Sequence, residues 1–157
     1  MKGEDNQQLP RVDQSAIKVS QASMILVLLI GFILDLWPLI AAVAVINFLG
    51  VIDPSLNLWR QLYLRVLKPA GWVKPSVIPD HHEPHLFAKA VGGVLATVAS
   101  VLLALDLPIA GWVVTWILIF LAALNLFLGF CLGCFTYYQL NRLGVPGFGQ
   151  SPIEEAT

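Results

Sequence analysis

Two long apolar runs with sparse polar punctuation dominate this 157-residue chain. From Met24 to Ile52 the only ionisable side chain is Asp35, and between Val91 and Leu140 the only acid or base is Asp106. A helix needs about 20 apolar residues to cross the hydrocarbon core of a membrane, so both runs read as membrane-spanning. The second divides at Asp106-Leu107-Pro108 into one span from Leu86 to Leu105 and another from Ala110 onward. Asp suits the N-cap of the following helix and Pro its first turn. The first run reads either as one long span with Asp35 buried or as two shorter spans turning at Asp35-Leu36-Trp37-Pro38.

A short internal repeat favours two spans. Leu34-Asp35-Leu36 followed by Trp-Pro matches Leu105-Asp106-Leu107 followed by Pro. Asn47-Phe48-Leu49-Gly50 is echoed by Asn125-Leu126-Phe127-Leu128-Gly129, and Gln61-Leu62-Tyr63 by Tyr137-Tyr138-Gln139-Leu140. The expected fold is therefore an all-α membrane protein. It has four transmembrane helices, arranged as two pseudo-repeated hairpins related about an axis along the membrane normal, with an interfacial amphipathic helix between them. The expected parts are a polar cytosolic tail over 1–20, a first hairpin over 21–52, and an interfacial helix and Pro/His-rich loop over 53–85. A second hairpin over 86–140 and a C-terminal tail over 141–157 complete the chain.

Composition agrees with this pattern. Hydrophobic residues make up 57% and charged residues 12%, about half the charged share of a soluble domain. The net charge of −1 matters less than where the charges fall. Lys and Arg lie in the N-terminal tail, in the middle segment and at Arg142, and the two acidic turns carry none. The positive-inside rule then puts both termini and the middle segment in the cytosol of a multi-pass protein of the cell inner (plasma) membrane. The first 20 residues are polar and mixed and lack a cleavable signal pattern. No feature suits nucleic acid, since topology accounts for the few basic residues.

In the middle segment Asp53 suits a helix cap and Pro54 the first helical position. Trp59, Leu62, Tyr63 and Val66 follow the spacing of one apolar face, with Arg60, Arg65 and Lys68 off it towards headgroups. This is either a docking surface or a plain interfacial connector. Asp80-His81-His82-Glu83-Pro84-His85 follows. His81, Glu83 and His85 converge on one metal if the chain is extended there; otherwise the run is a solvated loop entering the third span. Within the spans, Asn47 and Asn125 are read as helix-to-helix polar contacts near the repeat axis. Ser100, Thr97 and Thr115 are expected to bond their own helix backbones. Gly129 and Gly133 have the GxxxG spacing of close helix approach. The absence of a chain of intramembrane acids or bases argues against a pump or channel.

Cys131 and Cys134, in the run GFCLGC, are the only cysteines. On one continuous helix their Cβ atoms would be roughly 5–6 Å apart. They would also lie towards the helix C-terminus, where the dipole opposes a thiolate. A break at Gly129 or Gly133 would instead start a new short helix through Phe135-Thr136-Tyr137-Tyr138 and reverse that field. At the inner interface a lasting disulfide is out of place. The alternatives are a transient thiol function (dithiol exchange, persulfide carriage, soft-metal binding) or two small side chains packed between helices.

Glu83-Pro84-His85-Leu86-Phe87-Ala88, Ala123-Leu124-Asn125 and the GFCLGC run with Tyr137 resemble a bacterial integral-membrane family known as domain of unknown function 4395. The resemblance covers about Asp80 to Leu140 well and the first hairpin loosely. Lys89 departs from the family pattern, where Gln is expected. The resemblance implies a small four-helix membrane protein of no assigned activity, cofactor unknown, with thiol or sulfur handling as an associated context.

The expected function is a thiol/persulfide or redox partner of a cytosolic thioredoxin- or rhodanese-like protein, acting through Cys131 and Cys134 and more a carrier than an enzyme. Its partners would be the lipid bilayer and other membrane or membrane-docked subunits. The alternative is a non-catalytic accessory subunit of a larger membrane complex.

Overall fold

A computed structural model describes residues 11–74, 76–79 and 82–147. Among them run helices α1 (Gln14–Ile33), α2 (Trp37–Ile52), α3 (Leu58–Leu62), α4 (His82–Ala104), α5 (Pro108–Leu128) and α6 (Leu132–Arg142). A 3-10 turn (Pro54–Leu56) precedes α3, and a π-helical turn (Tyr63–Leu67) continues it. Among the described residues the regular structure is all helical except for one short ribbon. Strands β1 (Arg11–Asp13) and β2 (Val77–Pro79) pair antiparallel with Val12 opposite Ile78. The apolar pattern does not predict this ribbon; a proline at Pro79 favours extended backbone in the residue before it.

Helices α1, α4 and α5 are long and apolar enough to cross a membrane, whereas α2 is shorter at 16 residues. Large apolar side chains such as Val45, Val113, Ile117 and Phe120 point outward from them. The chain is accordingly a membrane-associated protein whose helices present apolar surface to lipid. Helix α1 begins at Gln14, capped by Asp13, whose side chain accepts from Ser15 N–H at 3.0 Å.

The two acidic turns form, with a different chemistry from the one expected. Asp35 and Asp106 have φ of 53° and 59°, in the left-handed region. Leu36 N–H bonds to Gly31 O at 2.8 Å and Leu107 N–H to Leu102 O at 3.0 Å. These are bonds of the Schellman type, which satisfy the free carbonyls at a helix end and need one left-handed residue. Asp tolerates that conformation through its short polar side chain. Each Asp thus ends the helix before it rather than capping the one after. Leu36 and Leu107 hold the N-cap positions with no side-chain bond, and Pro38 and Pro108 enter the first turn. A proline there removes a donor that would otherwise need a partner.

Helices α1, α2, α4 and α5 form a ring: α1 packs on α2, α2 on α4, α4 on α5 and α5 on α1. Helix α3 lies against α1, and α6 against α4. Exchanging the first three helices for the last three preserves each of these contacts. The core between them holds Met24, Leu28, Ile40, Val43, Ala96, Ala99, Leu118 and Ala122. Phe32 meets Trp112 and Trp116 edge-on at 5.1 and 5.4 Å, tying α1 to α5. The hydroxyls of Thr97, Ser100 and Thr115 bond carbonyls of their own helices, as expected.

The middle segment differs in detail. Asp53 accepts from Ser55 N–H at 2.8 Å and starts the 3-10 turn, while Asn57 caps α3 by accepting from Trp59 N–H at 3.1 Å. Trp59 and Tyr63 are buried, but Leu62 and Val66 are exposed. The π-helical turn holds more residues than an α-turn. Val66, inside that turn, is carried off the face of Trp59 and Tyr63, whereas Leu62, in α3 itself, is exposed at the edge of that face.

Candidate functional site

The break that places the cysteines is at Gly129. Helix α5 stops at Leu128, and Gly129 takes φ 65°, donating its N–H to Asn125 O. Phe130 and Cys131 then carry the chain into α6, which starts at Leu132 with Cys131 as its N-cap. The pair therefore sits at a helix N-terminus, not towards the C-terminus that one continuous helix would have given it. Cys131 Sγ accepts from Cys134 N–H at 3.3 Å. A helix N-terminus presents free N–H groups and favours negative charge, the setting of reactive Cys-X-X-Cys pairs. Cys131 is half-buried and Cys134 buried, and no disulfide joins them.

Helix α6 can hold Cys134 against α4 only because Gly133 has no side chain. A Cβ built on Gly133 would lie 2.6 Å from Ala88 Cβ and 2.8 Å from Ala88 Cα. That close approach brings His85, in the first turn of α4, to the thiols. His85 Nδ1 is 3.6 Å from Cys134 Sγ. The ligand atoms of His85, Cys131 and Cys134 all lie within 4.8 Å of one another. This set of two soft sulfurs and one imidazole matches the donors of three-ligand zinc sites with an open fourth position. One helical turn further on, Tyr137 OH donates to Glu83 Oε2 at 2.7 Å, and the Tyr137 ring rests 5.9 Å from that of Phe87.

Of the residues expected to form a metal site, His81 lies outside the described residues. Glu83 is engaged by Tyr137, and His85 joins the cysteines. Neighbouring sequence gave no sign of that last contact, because it spans 49 positions. The only local signal was the small residue at Gly133. Asn47 is buried and donates Nδ2 to Met24 Sδ at 3.5 Å, a contact between α2 and α1. Asn125 lines two cavities, the larger of them together with Asn47. Of the proposed GxxxG pair, only Gly133 makes a close approach; Gly129 has open space where a Cβ would be, and serves the turn.

Cys131 and His85 line both cavities. One, of about 330 Å³, also touches Lys18, Phe130 and Phe135; the other, of about 420 Å³, runs inward between the helices past Lys89, Asn47 and Leu118. The first half of the chain has the same frame without the same chemistry. Tyr63 OH donates to Asp13 Oδ2 at 3.0 Å, as Tyr137 does to Glu83. Asn57 caps α3 where Cys131 caps α6, and Arg60 stands where Cys134 does, three residues on. Ser15 follows Asp13 by two positions, as His85 follows Glu83. Ser15 Oγ donates to Lys74 O at 2.7 Å and accepts from Ser76 N–H at 3.1 Å, fastening the connecting segment to α1.

No curated protein and no solved structure matches this chain. Over residues 12–142 it matches the model of the family described as Domain of unknown function (DUF4395), and to that family the chain belongs.

Proposed function

We propose that this protein is a membrane-embedded thiol carrier, in which Cys131 exchanges electrons or sulfane sulfur with a soluble thioredoxin- or rhodanese-like protein and Cys134 resolves the intermediate. The observation that carries this reading is the position of Cys131 at the start of α6, with Cys134 three residues on and beside His85 Nδ1. The half-buried sulfur is the one a partner reaches. The buried one has a proton acceptor at hand.

In the redox form, Cys131 thiolate attacks the disulfide of an oxidised partner; the partner's S–S bond breaks and its electron pair leaves on the partner's other sulfur. Cys134, passing its proton to His85, then attacks Cys131 Sγ, closes a Cys131–Cys134 disulfide and releases the partner's second sulfur as a thiolate. Two electrons and two protons have moved to the partner, and the reverse sequence with a reduced partner returns them. In the sulfur form, Cys131 thiolate takes the outer sulfur of a partner persulfide, which leaves as a thiolate.

The topology belongs to the same proposal: four spans in two hairpins, both termini cytosolic, the cysteines at the inner face. The basic residues flanking the helix ends and the matching Schellman turns support it. The 16 residues of α2 extend only about 24 Å, so that span would sit in a thinned bilayer or rely on its polar ends.

A Cys134→Ser variant should accumulate a stable mixed disulfide with its partner through Cys131, visible on non-reducing gels. Cys131→Ser should trap none. Equal trapping by both variants would remove the assigned order. Full function in the double Ser variant, with the chain co-purifying in a large complex, would favour a non-catalytic accessory subunit instead.

The convergence of His85, Cys131 and Cys134 favours one second reading, a soft-metal site. In that case the purified protein should take up one Cd²⁺ per chain with thiolate charge-transfer absorption, lost in His85→Ala and in either Cys→Ser variant. Absorption unchanged in His85→Ala would dismiss the three-ligand site and leave the thiol reading standing.

A further inference from the structure

The cavity of about 420 Å³ holds a charge that the thiol chemistry does not use. Lys89, on α4, is half-buried in its wall. Among the described residues no carboxylate pairs with it, and the other cation on the lining is Arg60, which is itself exposed. The one acid on the cavity's lining, Asp13, is already engaged by Ser15 N–H and Tyr63 OH. A charge drawn part-way into an apolar wall without a counter-charge is costly, and ionisable residues on membrane helices mark binding paths. Trp59, on the same wall, has a buried Nε1–H with no acceptor. Two cations and one unpartnered indole N–H, from two elements, thus border one space. The rest of that space is apolar, bounded by Met24, Leu95, Leu118 and Ala122.

We infer that this cavity binds an amphipathic organic anion, its acidic group held by Lys89, Arg60 and the Trp59 N–H and its apolar body lying between α1, α4 and α5. The inference does not depend on thiol exchange. Because Cys131 lines the same cavity, an occupant lies on the thiol's path to the interior. Gln21, whose buried Oε1 also lacks a donor, adds an acceptor that suits an acidic group able to carry a proton.

The test uses the purified full-length protein in uncharged detergent, titrated calorimetrically with hexanesulfonate, hexanol and hexyltrimethylammonium below their micellar concentrations. The expected result is saturable binding of hexanesulfonate alone, weakening as salt is added. Lys89→Gln should weaken it roughly tenfold, as expected for loss of one charged hydrogen bond, and Lys89→Arg should retain it. Hexanesulfonate should also slow maleimide labelling of Cys131 in the wild-type chain, a readout that no variant's folding can confuse. In nanodiscs, competition by phosphatidylglycerol but not phosphatidylcholine would identify a lipid acid as the occupant. Equal binding in both would identify a free anion, and either result keeps the site. Hexanesulfonate binding no tighter than hexanol, or binding untouched by both Lys89→Gln and Arg60→Gln, overturns the inference. Trapping of the mixed disulfide through Cys131 would be unaffected by that failure.

Discussion

Asp35 and Asp106 carry a testable distinction between two roles. As residues in the left-handed conformation, both gain from glycine and lose with a β-branched side chain. Asp106→Gly should leave thermal stability in detergent at or slightly above wild type. Asp106→Thr, which keeps an N-cap-competent hydroxyl, should lower stability by about 1–2 kcal/mol. An N-cap role predicts the reverse order. A second residue-level effect concerns Tyr63. Burial first, then the hydrogen bond and charge of Asp13, push its phenol above its ordinary value. The folded state then favours the neutral phenol. Its contribution is full below the unfolded value of about 10 and is lost as pH rises through the higher folded value. Alkaline unfolding should therefore be steeper in wild type than in Tyr63→Phe, measured by helical circular dichroism above about pH 10. Asp was readable in the sequence as a turn residue at both places. Its side of the turn was not, because N-caps and left-handed C-terminal positions both accept Asp, and the choice rests on backbone bonds to carbonyls five residues back.

Helix α6 is the element on which the site depends. Its hydrophobic pattern runs on from α5 through Phe130 and Leu132, so periodicity alone does not reveal the break. Gly129 was visible, but as one small residue among many; its left-handed φ is what separates the helices. The consequence was large, since the same two cysteines at the end of one helix or the start of the next sit in opposite fields. The contact of α6 with α4 was also silent in sequence, because it depends on clearance at Gly133 against Ala88. Gly133→Ala should cost about 1–3 kcal/mol from overpacking and move Cys134 away from His85. The expected signature is faster maleimide labelling of Cys134 with helix content unchanged. Labelling at the wild-type rate would mean that α6 does not need this close approach to bury the thiol.

The whole molecule is a ring of four long helices with a short helix fastened to each of two of them. The apolar runs, the two acidic turns and their order were all readable from the chain, since each rests on local spacing. The fastening of α3 and α6 was less so. Tyr63 was readable on the apolar face of the middle segment and Tyr137 through the internal repeat, but their carboxylate partners lie 50 and 54 positions away. Loss of either hydroxyl, in Tyr63→Phe or Tyr137→Phe, should cost about 1 kcal/mol, and the two losses should add, since they fasten different helix pairs. Additivity in a double variant is the check. Strong coupling would mean that both ends are held as one unit. The matching helix contacts of the two halves also mean that this molecule contains its own comparison. Its first half folds a short helix onto a long one with Asn57 as the cap, Arg60 three residues on and Ser15 opposite, and with no sulfur or imidazole in those places. At those positions the scaffold asks only for a cap and room to approach. Cys131, Cys134 and His85 are therefore a cargo carried by one arm of a frame that the other arm builds without it.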